Sequence, residues 1–287
     1  MGEWFLGVIG GSGLYDIEGL KNARWISQDT SWGAPSDQIL TGTLGELRLA
    51  FLPRHGRGHL IPPTDVNARA NIAALKQIGC TDILSLSAVG SLKEGLPPGT
   101  FVIVDQFIDR TFAREKSFFG PGLVAHVSMA HPTCPRLAGL AAEAAREAGA
   151  SVVEGGTYLA MEGPQFSTRA ESELYRSWGC DVIGMTNMPE AKLAREAELP
   201  YASVSMVTDY DCWHEDVAHV EVAQIVACLM DNAAKARDLV VKLAARLQGA
   251  RPASPIDTVL NDAVITASAA RDPAMVEKLK VIAGRAL

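Results

Sequence analysis

Two carboxylates, one residue apart, follow an apolar run in the last third of the chain. The run is "YASVSMV" at 201–207, and Asp209 and Asp211 come directly after it in "TDYDCW". A pair of turn-forming acids would fit this pattern. A catalytic pair would also fit, because two neighbouring carboxylates resist ionising at once and one of them can then deliver a proton. Since side chains two apart in an extended segment share a face, both acids could reach one ligand.

Anion donors follow two other apolar runs. In "GVIGGSGLYD" the glycines at 10, 11 and 13 permit a tight turn that aims N–H groups at an anion, and Ser12 adds a hydroxyl. In "LPRHGRGH" the guanidinium of Arg54 offers a planar fork of donors for a phosphate, and the neighbouring His55 can donate too. Taken singly, the first segment could be an empty turn and the second a solvated basic loop.

Three further segments add hydroxyls and small residues. "LSLSAVGSL" ends a third run with Ser87 and Ala88, "MEGPQFST" leads into Ser167, and "GMTNMPEA" offers Met185 and Thr186. Ligands of open α/β sheets bind at the carboxyl ends of the strands. Strand ends that carry donors or acids in this way predict a site for a small phosphate-containing reaction.

The elements that would position these residues alternate along the chain. Apolar runs predict strands at 5–10, 47–52, 82–89, 101–108, 151–161, 181–185 and 201–207, and their lack of strict alternation suits strands covered on both faces. Helical patterns lie at 64–79, 135–149, 168–179, 189–198 and about 215–247, with Thr64 and Thr168 as N-cap candidates and Pro189 at a first helical position. This order predicts an α/β sandwich.

Composition excludes several classes of function. The net charge of −7 argues against binding a nucleic-acid backbone, and no stretch approaches the roughly 20 apolar residues of a membrane span. The N-terminus lacks the basic region of a signal peptide. The five cysteines show neither a CxxC pair nor zinc spacing, which predicts reduced thiols in a cytoplasmic protein without a metal site.

Seven motifs in order resemble the S-methyl-5′-thioadenosine phosphorylases, a family in the trimeric class of purine nucleoside phosphorylases. They are "GVIGGSGLYD", "PRHGRGH", "SAVGSL", "VDQFIDRT", "MEGPQFSTRAES", "GMTNMPEAKLAREA" and "TDYDCW". The resemblance covers about residues 5–247. It implies one α/β domain at 1–249, with a mixed central sheet flanked by helices, followed by a linker and helical accessory segment at 250–287.

The resemblance also implies a reaction and a set of site residues. The enzyme would be a pentosyltransferase that cleaves S-methyl-5′-thioadenosine with inorganic phosphate, giving adenine and 5-methylthioribose 1-phosphate without a cofactor or metal. Phosphate would be held by Ser12, Arg54, His55, Ser87, Ala88 and Thr186. The nucleoside would contact Met185 at the ribose, Ser167, Asp209 and Asp211 at the base, and Val222 and a neighbouring subunit's His126 at the 5′ group.

Within this reaction the paired acids acquire roles. The departing purine needs a proton at N7, which a carboxylic acid of raised pKa can supply. The second carboxylate would accept from the 6-amino group of adenine and disfavour a 6-oxopurine. We favour Asp209 as the proton donor and Asp211 as the reader of the amino group, although the two roles could be exchanged or shared.

Two alternatives remain open on the sequence. A phosphorylase of methylthioinosine or another 6-oxopurine nucleoside would be expected to replace one acid with a donor such as Asn. A Rossmann-type dinucleotide-binding protein would need a glycine where Asp16 stands. The family resemblance further implies a homotrimer, or a dimer of trimers, acting in purine and methionine salvage. The tail beyond about residue 250 could close over the site or cover the trimer surface.

Overall fold

The computed structural model describes residues 2–11, 13–214 and 222–287, with side chains from residue 228 onward in the last range. Strands β1 to β7 are Gly2–Glu3, Phe5–Gly10, Lys21–Ile26, Ile39–Leu44, Leu47–Pro53, Asp82–Ser91 and Thr100–Val104. Strands β8 to β13 are Gln106–Asp109, Ser151–Glu154, Thr157–Ala160, Val182–Gly184, Tyr201–Tyr210 and Ala250–Arg251.

Eleven of these strands form one mixed sheet. Its main path is β3-β4-β5-β2-β6-β11-β10-β8, while β12 pairs with β6 and β7, and β9 pairs with β7. Strands β5, β2, β6 and β12 run parallel to one another, whereas β11 is antiparallel to β6. The parallel group therefore brings its carboxyl ends to a common edge, where ligands of α/β sheets bind.

Helices cover both faces of the sheet. They are α1 to α6 at Ala68–Gln77, Pro135–Glu147, Arg169–Ser177, Asn187–Glu196, Val222–Arg246 and Pro273–Ala283. Strand β2 shows why its sequence is continuously apolar. Phe5 and Ile9 pack into one buried cluster, and Leu6 and Val8 pack into the cluster on the opposite face. The prediction of an α/β sandwich with doubly covered strands is confirmed.

Helix starts follow their capping residues. Thr168 and Glu171 form the predicted capping box of α3. Met188 is non-helical inside α4, so the regular helix begins at Pro189 as predicted. The prediction of Thr64 as a helix cap is wrong, because the side chain of Asn67 accepts from the backbone N–H of Ala70 and α1 begins at Ala68.

Strand prediction failed where the chain is polar or bends within an apolar run. Strands β3 and β4 were not predicted, and β3 is an edge strand whose first four residues are exposed. The predicted runs at 101–108 and 151–161 each divide into two strands, β7 and β8 in the first and β9 and β10 in the second. Gly155 and Gly156, both at positive φ, separate β9 from β10. The predicted helix start at 215 lies outside the described residues.

The C-terminal tail packs into the main core. Leu260, Leu279 and Ile282 are almost fully buried in the same cluster as Leu75 of α1. Two 3-10 turns precede α6, so only part of the tail is α-helical. In the described part of the chain, no residue of the tail borders the large cavity that is described below. The boundary at residue 249 stays a prediction.

Candidate active site

A cavity of about 680 Å³ opens at the carboxyl ends of β2, β5, β6 and β12. Helix α5 and the segments after β10 and β11 complete its lining. The predicted site residues that border it are Arg54, His55, Ser87, Ala88, Met185, Thr186, Asp209 and Asp211. The structure therefore brings together residues that are widely separated in the sequence. We call Arg54, His55, Ser87, Ala88 and Thr186 the donor end, and Ser167, Asp209 and Asp211 the acidic end.

Arg54 at the donor end is buried and already paired. Its Nε lies 2.9 Å from Glu190 Oε2, and its Nη2 lies 3.2 Å from the other carboxylate oxygen and 2.7 Å from Ser85 Oγ. Nη1 donates to the carbonyl of Leu86 at 3.1 Å. Burial acts to lower the pKa of Arg54, but Glu190 outweighs this and the pKa is raised. The guanidinium is thus a fixed donor whose charge is balanced by a neighbour.

Two hydroxyls of the donor end share one acceptor. Ser87 Oγ and Thr186 Oγ1 each lie 3.3 Å from Oδ1 of Asn187, whose side chain is fully buried. Asn187 Nδ2 donates to the hydroxyl of Ser203, which fixes the orientation of the amide. Asn187 therefore positions both hydroxyls beside the cavity. Asn187 was not among the predicted site residues, although it directly follows Thr186.

The ring of His55 is oriented by the backbone. Its Nδ1 lies 2.9 Å from the carbonyl oxygen of Ile61, and its face stacks on His59 with ring centroids 4.4 Å apart. Burial, and then the charge of Arg54, lower the pKa of His55 to about 4. The imidazole is therefore neutral near pH 7. Ser12 lies outside the described residues, but Gly11 borders the cavity.

Met185 also borders the cavity, and buried contacts hold its backbone in place. Arg114 donates from Nη1 to the carbonyls of Met185 and Met188 at 2.5 and 2.9 Å, and its Nε pairs with Glu162 at 2.8 Å. A Cβ added to Gly163 would lie only 2.5 Å from the sulfur of Met185. The "EGP" turn favours glycine because Gly163 has a φ of +70°, and a larger residue there would also displace the side chain of Met185.

The acidic end gathers side chains around Gly90. A Cβ added there would lie 3.4 Å from Oδ1 of Asp209 and 3.5 Å from Cβ of Asp211, so both acids flank the same point of β6. A shift in strand register lies between Val207 and Asp209, at the end of β12. Asp211 Oδ2 accepts from Ser167 Oγ at 2.7 Å.

The carboxyl group of Asp209 has a raised pKa. Burial raises its pKa, and the charge of Asp211 raises it further, against a hydrogen bond from Thr208 Oγ1 at 2.6 Å. No described cation forms an ion pair with either acid. The geometry at this end suits general acid catalysis by a carboxyl group.

The structure of a single chain tests neither of the two contacts predicted with the 5′ group of the nucleoside. His126 is exposed, and its backbone N–H donates to the carbonyl of Ala263 in the tail at 2.8 Å. Val222 begins α5, and its side chain lies outside the described residues. Both assignments stay predictions.

The described residues contain neither a metal-binding cluster nor a helix that could span a membrane. No group of three or more His, Cys, Asp or Glu in that part of the chain could hold a metal ion. Among its helices, none combines the length and apolar character that a membrane crossing requires. The five cysteines are unpaired.

The fold and the cavity together define a phosphorylase-type enzyme. The sequence profile of the Phosphorylase superfamily matches residues 5–245, and the chain belongs to this superfamily. Membership removes the dinucleotide-binding alternative, because the glycine-rich turn after β2 is part of the matched domain.

Individual relatives are more specific. The chain is 62% identical to the S-methyl-5′-thioadenosine phosphorylase of Cereibacter sphaeroides over 98% of each chain. It is also 62% identical to the enzyme of the same name from Rhodospirillum rubrum, over 98% of this chain and 97% of the relative.

Solved structures agree with this similarity. A crystal structure of methylthioadenosine phosphorylase sourced from an Antarctic soil metagenomic library superposes with a TM-score of 0.93 at 44% identity, covering 98% of this chain and 99% of the other. A variant of adenosine/methylthioadenosine phosphorylase from Schistosoma mansoni, in complex with methylthioadenosine, gives a TM-score of 0.80 at 38% identity. That match covers 85% of this chain and 92% of the other.

Proposed function

We propose that the chain is a pentosyltransferase that cleaves S-methyl-5′-thioadenosine with inorganic phosphate, releasing adenine and 5-methylthioribose 1-phosphate. The observation that carries this proposal is the single cavity with anion donors at one end and two carboxylates at the other. The relatives named above support the choice of nucleoside.

Charge development explains why both ends are needed. As the N-glycosidic bond breaks, positive charge grows on the sugar and negative charge on the purine. Asp209, whose pKa is raised by burial, delivers a proton to N7, and Asp211 accepts from the 6-amino group. Phosphate at the donor end attacks the sugar and stabilises its cationic transition state, so positioning does most of the catalytic work. The reaction needs no protein nucleophile, metal or organic cofactor.

The remaining assignments complete the substrate site. Ser12, Ser87, Ala88 and Thr186 join Arg54 and His55 in holding phosphate. Met185 lies against the ribose, and Ser167 supports Asp211. Val222 contacts the methylthio group, and His126 of a neighbouring subunit does so from across the subunit boundary. The reaction belongs to purine and methionine salvage in the cytoplasm.

A trimer, or a dimer of trimers, is the proposed assembly. Leu60, Phe112 and Phe166 are 80, 83 and 84% exposed on segments that converge on Glu162, which accepts from Thr64 and from the backbone of Phe112. Large apolar side chains exposed together support a protein interface near the cavity. Equilibrium sedimentation combined with activity assays tests this assembly, because a fully active monomer would exclude a shared site.

Phosphorolysis itself is tested by incubating the purified chain with methylthioadenosine, with and without phosphate. We expect adenine and the sugar 1-phosphate in equal amounts, and only when phosphate is present. Release of adenine without phosphate, together with free methylthioribose, would identify a hydrolase instead.

A further inference from the structure

Nδ1 of His55 is hydrogen-bonded within the protein, whereas Nε2 has no hydrogen-bond partner among the described residues. The carbonyl oxygen of Ile61, 2.9 Å from Nδ1, can only accept, so Nδ1 carries a hydrogen. The backbone N–H of Ile61 donates back to the carbonyl of His55 at 3.1 Å, which closes a reciprocal pair and fixes the ring. In the neutral imidazole, Nε2 therefore presents a lone pair.

The groups around the ring keep it neutral while no anion is bound. Arg54 and His59 disfavour a positive charge on the ring, and so does its burial. Glu190 on α4 acts in the opposite direction, but both of its carboxylate oxygens are bonded to Arg54. His55 borders the same cavity as Ser87 and Thr186. An oxyanion held at the donor end consequently meets an acceptor at this position, not a cation.

An anionic oxygen and a lone pair repel unless a proton lies between them. Phosphate near neutral pH carries a P–O–H hydrogen that can donate to Nε2, whereas sulfate carries none. We propose that His55 selects protonated tetrahedral oxyanions, so that phosphate brings the shared proton with it and sulfate binds only when His55 takes up a proton from solvent. This inference rests on the proposed function, in which phosphate binds at the donor end.

The inference predicts different proton linkage for two anions of similar size. At about pH 8 the phosphate dianion should bind with almost no proton uptake, whereas sulfate should bind with uptake of about one proton. Sulfate affinity should then fall about tenfold for each further pH unit, while phosphate affinity changes little. Because His55 must take up this proton against a free pKa of about 4, we expect phosphate to bind about 10³- to 10⁴-fold more tightly than sulfate at this pH.

Isothermal titration calorimetry of the full chain with inorganic phosphate and with sulfate tests the inference. Repeating each titration in buffers of different ionisation enthalpy gives the number of protons taken up. His55→Gln places a side chain that can donate near the anion, so it should abolish the proton uptake and most of the preference for phosphate. The matched variant His59→Gln leaves the contact of His55 with Ile61 in place and should retain the uptake with sulfate.

The wild-type titrations decide the matter even if a variant fails to fold. Equal affinities for the two anions with no proton uptake for either would overturn this inference, while phosphate-dependent adenine release would leave the proposed function intact. Failure of phosphate to bind, together with no phosphate-dependent release, would overturn both.

Discussion

The donor end of the cavity balances the buried guanidinium of Arg54 within the protein, whereas the two carboxylates of the acidic end form no ion pair with a cation in the described part of the chain. Arg54 is held by both oxygens of Glu190, and the neighbouring hydroxyls are held by Asn187. Asp209 and Asp211 receive hydrogen bonds from Thr208 and Ser167 but form no ion pair with a described cation. A donor end that is fixed and nearly neutral in charge suits the positioning of a nucleophile. Acids that have no described counter-charge suit the binding and transfer of a proton.

Removing the proton donor of the acidic end should have the largest effect on the rate of nucleoside cleavage. Asp209→Asn keeps the size of the side chain but cannot deliver a proton to N7, so kcat should fall about 10²- to 10⁴-fold while phosphate binding is retained. Steady-state kinetics with varied phosphate measures both quantities. A fall of less than about threefold would assign the proton to another group.

Breaking the charge balance at the donor end should chiefly affect stability. Glu190→Gln leaves Arg54 buried without its counter-charge, which should lower the free energy of unfolding by about 3–5 kcal/mol. Urea unfolding measures this loss, and saturating phosphate should restore part of it because the anion supplies the missing charge. An unchanged unfolding curve would show that the pair does not balance the site.

Removing the acceptor that Ser87 and Thr186 share should weaken the binding of phosphate more than the binding of the nucleoside. Asn187→Ala leaves Ser87 and Thr186 without their common partner, and the KM for phosphate should rise about 5- to 30-fold. Ser205→Ala is the matched control, because Ser205 lies opposite Ser87 in the sheet and its buried hydroxyl has no partner among the described residues. Similar changes in both variants would point to a general loss of packing.

A smaller effect is expected from the hydrogen bond that supports Asp211. Ser167→Ala removes a donor 2.7 Å from Oδ2, which should reduce kcat/KM for methylthioadenosine up to about tenfold. The loss should be smaller for methylthioinosine, since its 6-oxo group does not donate to Asp211. Equal losses for both nucleosides would show that Ser167 does not contribute to recognition of the base.

Glu196 provides a buried carboxyl outside the cavity for comparison with Asp209. Burial raises its pKa to about 7, against hydrogen bonds from the backbone of Phe118 and the hydroxyl of Ser117, each 2.7 Å long. Because the folded pKa lies above the unfolded value, its stabilising contribution is present at low pH and is lost as the pH rises from about 4.5 to about 7.

Relative to Glu196→Gln, the wild type should therefore lose about 1–3 kcal/mol of unfolding free energy across this interval. Chemical unfolding of both proteins at several pH values measures the difference. A constant difference would show that burial alone does not hold a proton on this carboxyl.

The sequence indicated which residues lie at the two ends of the cavity, but it did not indicate the partner residues that hold their side chains in position. Arg54, Ser87 and Asp209 follow apolar runs, and parallel strands necessarily bring their carboxyl ends to one edge. The partner of Arg54 is Glu190, 136 positions further along the chain, and no local pattern reveals such a contact. Asn187 was missed for a related reason, because its role depends on Ser87 and Ser203 from two other strands.

The strands of the sheet also differ in how well the sequence predicts them. Continuously apolar strands such as β2 were predictable because burial on both faces leaves a strong signal. The edge strand β3 is mostly exposed and polar, so its pairing with β4 produces no comparable signal.

In the proposed reaction the acidic end protonates and recognises adenine while phosphate attacks from the donor end. The decisive measurement is phosphate-dependent release of free base from methylthioadenosine and from methylthioinosine, by the wild type and by Asp211→Asn. We expect a strong preference of the wild type for methylthioadenosine and a much reduced preference in the variant. Preferential cleavage of methylthioinosine by the wild type would contradict the assigned role of Asp211, although the fold and the donor end would stand.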